Sequence, residues 1–198
     1  QMVEQLQLHG DYSKEQAKRW SIEMLDRVGI SDAAKRFDQY AFELSGGMRQ
    51  RAMIAMALST QPKLLIADEP TTALDVTIQA QIIYVAQNLC RERGTAMIWI
   101  THDLGVVAGI ADRVMVMRRG RVGEEGATDA IFQDPRHPYT RALIAASPEP
   151  DIEARLDLEA VAAGAGEPDT WPDPFGYSAD NAPGLVEVDT GHFVRRAA

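Results

Sequence analysis

Cysteine, lysine and long apolar stretches are all scarce in this 198-residue chain. A single cysteine, Cys90, cannot close an internal disulfide, so the fold rests on packing and a reducing compartment suits it. The apolar runs, of which Ala52–Leu58 and Ala96–Ile100 are typical, fall far short of the roughly 20 residues that a helix needs to cross a bilayer, and the first residues are polar. Neither a membrane span nor a signal peptide is expected. The four lysines, Lys14, Lys18, Lys35 and Lys63, never follow a glycine. That leaves no G-x-x-x-x-G-K-[ST] loop, the element whose backbone N–H groups and lysine cradle nucleotide phosphates. Positive charge is short as well: 20 Lys and Arg stand against 29 Asp and Glu, a formal net charge of −9 that excludes a protein coating nucleic acid.

The charge deficit is local. Residues 1–147 hold 17 basic and 18 acidic side chains, whereas residues 148–198 hold 3 and 11. With 45% hydrophobic residues the chain can bury the core of one ordinary domain or of one and a half small ones. Ser13-Lys14-Glu15-Gln16 reads as a capping box, followed by Ala17, Trp20, Met24, Leu25 and Val28 at helical spacing up to a stop at Gly29. Glu15/Arg19 and Glu23/Arg27 are i,i+4 pairs for its outer face. From Met48 to Leu58 the pattern is apolar nearly all round after Arg51, which predicts a helix buried on most sides and ended by Pro62. Leu64–Ala67 and Thr95–Ile100 are short apolar runs of the kind that strands buried on both faces require. Between them Ile78, Ile82, Val85 and Leu89 mark a helix that Gly94 closes. Arg113–Met117 and Arg121–Glu125 flank Arg118-Arg119-Gly120 and predict a hairpin. Strands alternating with helices argue for an α/β sheet with its function at the strand ends. Beyond Pro148, Pro, Gly, Ala and acidic residues dominate through Asn181, and the reading is a linker and a weakly ordered appendage in which only Gly184–Val188 and His192–Val194 are strand candidates.

Three segments carry chemistry. Ser45-Gly46-Gly47 stands immediately before a helix, where unpaired N–H groups and the helix dipole favour an anion and glycines permit close approach of a phosphate. A plain N-cap with a glycine turn accounts for the same residues, and both readings stand. Asp68-Glu69 closes a buried strand, the place where open α/β sheets hold ligands. Two adjacent carboxylates there suit divided labour, Asp68 on Mg²⁺ and Glu69 as base or orienter of an attacking water; a solvated turn is the alternative. His102 closes the next strand 33 residues later, so it faces the same sheet edge and can donate a hydrogen bond to a phosphate, or else serve as a capping or partly buried histidine.

Together Leu44-Ser45-Gly46-Gly47-Met48-Arg49-Gln50-Arg51, Leu64-Leu65-Ile66-Ala67-Asp68-Glu69-Pro70, Thr71–Asp75 and Thr101-His102-Asp103 resemble, in order and spacing, the signature, Walker B, D-loop and switch-histidine motifs of the ATP-binding cassette family, the nucleotide-binding subunits of ABC transporters. Pro135-Arg136-His137-Pro138-Tyr139-Thr140-Arg141-Ala142-Leu143 narrows the likeness to the dipeptide/oligopeptide branch, which also includes nickel importers. The resemblance covers roughly residues 10–147. It implies an α/β fold, the C-terminal part of a P-loop NTPase of the ABC type, with a remnant of the helical signature subdomain over 1–60, the Walker B and switch-histidine part over 61–147 and an acidic extension over 148–198.

The resemblance also implies function. Such domains pair head to tail with each ATP between them, so Ser45, Gly46, Gly47 and Gln50 would contact a partner's nucleotide and Asp75 would lie at the interface, while Glu69 and His102 are catalytic and Asp68 holds Mg²⁺. The expected partners are a second cassette subunit, transmembrane permeases and, indirectly, a solute-binding protein, with no nucleic acid; the expected place is the cytoplasmic face of the membrane. Because the Walker A loop is missing, the expectation is a C-terminal portion of a cassette, whether a fragment, a truncated product or part of a split subunit, inactive alone. The alternative is a non-catalytic module that complements a partner's ATP site. A chromosome-maintenance ATPase, which shares the short motifs, is disfavoured by the HPYTRAL segment and by the lack of a long coiled coil or basic groove. Close relatives carry cysteines after that segment, associated in some with an iron–sulfur cluster; here there are none, so no such site is expected, and Cys90 is assigned to core packing.

Overall fold

The computed structural model describes residues 1–72, 74–147, 157–178 and 180–197. Ala73 of the Thr71–Asp75 turn and residues 148–156 of the expected linker lie outside them. The chain divides into two compact units, Gln1–His102 and Asp103–Ala198.

In the first unit, α1 (Met2–His9) and α2 (Lys14–Arg27) precede a short α3 (Ala33–Arg36). The Ser13 capping box forms as expected: the Ser13 hydroxyl accepts from the Gln16 N–H (3.2 Å), and the Gln16 side chain accepts from the Ser13 N–H (2.9 Å). Gly29 follows the helix at φ 79°, a left-handed conformation that glycine adopts without strain. Arg27 meets Glu23 at 4.0 Å on the exposed face. A second long helix, α4 (Gly46–Ser59), leads into β1 (Leu64–Asp68), then α5 (Val76–Arg93) and β2 (Ala96–Ile100). Strands β1 and β2 are parallel, in register from Leu64↔Ala96 to Asp68↔Ile100, with α5 as the crossover. Trp20 on α2 donates its indole N–H to the Ser59 carbonyl at the end of α4 (2.9 Å). Met24, Leu25, Val28, Ile54, Ala55, Leu58, Leu65, Ile82, Ala86 and Leu89 form the core, with Cys90 among them, as expected of a packing cysteine.

Two expectations are corrected here. Helix α4 buries only the face of Ile54, Ala55, Leu58 and Ser59, and Met53 is exposed, because α2 and α5 cover one side of it. The strands are likewise buried on one face. Leu65, Met97 and Trp99 face the core, whereas Leu64, Ile66, Ile98 and Ile100 are 44–61% exposed. Strand side chains alternate between faces, so a continuous apolar run does not itself say that both are covered.

The second unit opens with α6 (Leu104–Ile110), then β3 (Arg113–Arg118) and β4 (Arg121–Ala127) as the expected hairpin. Its turn places both Arg119 (φ 50°) and Gly120 (φ 76°) in the left-handed region, the pattern whose twist matches that of paired strands. Helices α7 (Thr128–Gln133), α8 (Pro138–Ala145) and α9 (Leu158–Ala165) precede β5 (Leu185–Asp189) and β6 (His192–Arg195). These strands add to the hairpin as an antiparallel sheet in the order β3-β4-β6-β5.

The weakly ordered appendage is therefore corrected for the described residues: it contributes an α-helix, a short 3-10 helix and two strands, the strands close to the segments expected. Tertiary contacts supply the order that composition hides. The Arg118 guanidinium lies over Tyr139 (4.8 Å) and Trp171 (5.4 Å) and donates to the carbonyls of Gly164 and Ala165. Helices α8 and α9 approach so closely that a Cβ at Gly164 would clash with the Pro138 oxygen.

Candidate active site

The parallel register brings the ends of β1 and β2 side by side, and the backbone extends it by one step, Glu69 N–H donating to the Ile100 carbonyl (2.9 Å). Glu69 and His102 therefore leave the sheet at the same edge. His102 Nδ1 lies 2.9 Å from Glu69 Oε1, and the second carboxylate oxygen of Glu69 accepts from the Thr72 hydroxyl. These two hydrogen bonds, that from Thr72 first, hold the Glu69 carboxyl below the usual carboxylate range. The group is thus an ionised acceptor at neutral pH, partly open to solvent beside a mostly exposed imidazole.

Glu69 also adopts φ 47°. A left-handed conformation costs a non-glycine residue about 1–2 kcal/mol, and such outliers persist where surrounding contacts over-determine them. Here the backbone bond to Ile100 and both carboxylate bonds do so. Asp68, the last residue of β1, is exposed beside it. A lone strand-end carboxylate suits Mg²⁺, which takes one or two protein oxygens and completes its octahedron with water and phosphate. Among the described residues no group of three His, Cys, Asp or Glu side chains gathers at one place.

Ser45 is the N-cap of α4, its hydroxyl accepting from the Met48 N–H (3.3 Å). Gly46 and Gly47 form the first turn with Ser45 and Gly46 exposed, and Gln50 lies half-buried one turn on. A Cβ at Gly47 would meet Ile78 Cγ2 at 2.9 Å. Close packing on α5 therefore accounts for that glycine. Asp75 caps α5 through the Ile78 N–H (2.9 Å). The structure thus gathers the site residues into two sets: the contacts of Gly46 and Gly47 run to Leu74 and Ile78, next to Asp75, and those of Glu69 run to Thr72, Ile100 and His102.

Sequence reasoning missed two features. Thr72 was part of a recognised turn with no role of its own, although a threonine three residues past a strand-end glutamate is placed to reach back to it. In the second unit, Glu124 on β4 is fully buried and accepts from the N–H groups of Arg136 (2.7 Å) and His137 (3.0 Å), with His192 Nε2 at 2.7 Å. His137 is 1% exposed, edge-on to Trp171 at 4.7 Å, and its Nδ1 accepts from the Tyr139 N–H. Burial pushes its pKa down to about 4, with smaller downward pushes from Arg195 and Arg118 and an opposing pull from Glu124. Unfolding lets it return to about 6.5. Between those values the unfolded state binds the extra proton, so stability falls as pH falls from about 6.5 to about 4, by about 3 kcal/mol from this group. Thermal unfolding across that range should show the slope, and His137→Asn, which keeps a capping acceptor, should flatten it; an unchanged slope would rule out His137 as its source.

Comparison with known proteins bears on the family. A family model described as ABC transporter matches residues 1–72, and one described as the C-terminal region of oligopeptide/dipeptide transporters matches residues 124–173. The oligopeptide transport ATP-binding protein OppD of Bacillus subtilis is 54% identical over 161 residues, covering 81% of this chain and 45% of its own length. A probable peptide ABC transporter ATP-binding protein of Sinorhizobium fredii, y4tR, is 45% identical over 97% of this chain and 60% of its own. Among solved structures, cbiO1 from Clostridium perfringens, part of the ABC transporter complex cbiONQ, superposes with a TM-score of 0.55 at 32% identity, covering 62% of this chain and 48% of that one. The chain spans about half the length of the relatives it matches.

Proposed function

Because the chain belongs to the ABC transporter family of ATP-binding proteins, on its oligopeptide branch, we propose that it is the ATP-hydrolysing part of an importer of peptides or similar small solutes. The observation that carries this is the Glu69–His102 pair at the ends of parallel strands, with Thr72 on the other carboxylate oxygen. Glu69 accepts a hydrogen bond from the attacking water and aims its oxygen at the γ-phosphate; His102 donates its Nδ1–H to that carboxylate and fixes it, and in its doubly protonated form it also offers Nε2–H to the phosphate. Asp68 is the residue that would hold Mg²⁺, whose chemistry when bound is to neutralise charge on phosphate oxygens. Ser45, Gly46, Gly47 and Gln50, at the start of α4, and Asp75, at the start of α5, form the face that meets the nucleotide of a second cassette.

Transmembrane permeases, a second cassette subunit and, indirectly, a solute-binding protein are the partners, and the cytoplasmic face of the membrane is the place. Among the described residues no helix is long and apolar enough to cross a membrane.

One sequence fact favours a second reading, a module that completes a partner's site without catalysing in its own: no lysine in the chain follows a glycine. The two readings part in one experiment. The purified chain should hydrolyse no ATP above background, and mixing it with a polypeptide that carries G-x-x-x-x-G-K-[ST] should restore turnover that depends on Glu69. Turnover indifferent to Glu69 would leave only the non-catalytic reading.

A further inference from the structure

Three arginines of the second unit converge on a cavity that the proposed ATPase does not use. Arg136 precedes α8, Arg141 lies on it and Arg196 follows β6; with Phe175, Val188 and Val194 they line a recess of about 340 Å³. Small-molecule sites run from about 300 to 1,000 Å³. Among the described residues the lining contains three cations, three apolar side chains and no carboxylate.

The partners of each guanidinium show how much of that charge is met. Arg136 pairs with Asp134. Arg141 donates its Nε–H to the Pro135 carbonyl (2.8 Å), a neutral acceptor. Arg196 has a buried Nε without a hydrogen-bond partner. A buried donor left unmet is costly, more so on a charged group. Among the described residues, therefore, neither the Arg141 nor the Arg196 guanidinium pairs with a carboxylate. The walls are fixed in advance: the Arg136 backbone is tied to buried Glu124, Phe175 packs edge-on against His137 at 5.6 Å, and Val194 is fully buried on β6.

The geometry points to this recess as a binding site for a phosphate monoester, its oxygens on Arg136, Arg141 and Arg196 and its organic substituent on Phe175 and Val188. Two guanidinium groups with no carboxylate partner among the described residues match a phosphate monoester, which carries about −1.5 to −2 at pH 7, better than a singly charged carboxylate. Planar arginine forks suit phosphate oxygens in pairs. The volume equals roughly eleven waters at about 30 Å³ each, room for a phosphate and a substituent the size of one ring. The recess shares no residue with the Glu69 site, so it stands whether or not the chain hydrolyses ATP.

The test titrates the full 198-residue chain with phenyl phosphate, inorganic phosphate and phenylacetate by calorimetry, and follows the Arg196 Nε–H resonance by NMR. Phenyl phosphate should bind saturably, more tightly than either other probe, and shift that resonance. Arg196→Gln should weaken it about tenfold or more at unchanged melting temperature, the size expected for hydrogen bonds to charged groups. Phe175→Leu should weaken phenyl phosphate but not inorganic phosphate. If Arg196→Gln lowers the melting temperature, the wild-type resonance decides: a saturable shift supports the site. No binding at millimolar phenyl phosphate, an unmoved Arg196 resonance, or phenylacetate binding as tightly would overturn the assignment.

Discussion

Glu69→Gln, introduced into an assembly that turns over ATP, is expected to slow hydrolysis by about two to four orders of magnitude, the range that a positioned general base contributes. Glutamine keeps the size and one acceptor oxygen, so nucleotide should still bind; what is lost is the negative charge that orders the water and takes its proton. Binding and turnover should therefore separate, with ATP holding the two cassettes together longer than in the wild type. Each part can fail independently. A mutant within threefold of the wild-type rate removes Glu69 from the chemistry, and a mutant that no longer binds ATP shows its role to be structural.

For stability, Glu124→Ala should have the largest effect. The carboxylate is fully buried and accepts from two backbone N–H groups, with His192 Nε2 at 2.7 Å. Truncation leaves those partners buried without an acceptor, and breaking a buried charged cluster on one side costs about 3–5 kcal/mol. For a unit of this size each kcal/mol moves the midpoint by roughly 4–8 °C, so the second unit should melt at least about 12 °C earlier. A shift under 3 °C would show that water or rearranged side chains replace the carboxylate. Glu124 has no part in the core of the Gln1–His102 unit.

How far this was legible in the sequence depends on the distance over which each residue finds its partners. The Glu69–His102 pair could be foreseen because a short apolar run ending in a polar residue marks a strand end, and two parallel strands present their ends together. The Ser13 and Ser45 caps are local, settled within three residues. Thr72 is equally local, yet its reach depends on the left-handed turn at Glu69, which no residue type announces. The one-sided burial of β1 was hidden because Leu64 and Ile66 are as apolar as Leu65, and only packing tells the faces apart. Glu124 was hidden more deeply. A glutamate in a hairpin reads as solvent-facing, and His192, which caps it, is 68 residues away. Tail order rests on Trp171 and Arg118, two side chains that an average over composition cannot reveal.

The backbone of Glu69 sets which replacements at that position can be interpreted. With φ at 47°, glycine would relax the turn while deleting the acceptor, so its phenotype would mix two opposite effects. Valine would add a β-branched clash to the loss of charge. Aspartate tolerates the left-handed region and keeps the charge, but one methylene less withdraws its oxygens from Thr72 and His102. At this position, therefore, Asp reports on reach and Gln on charge.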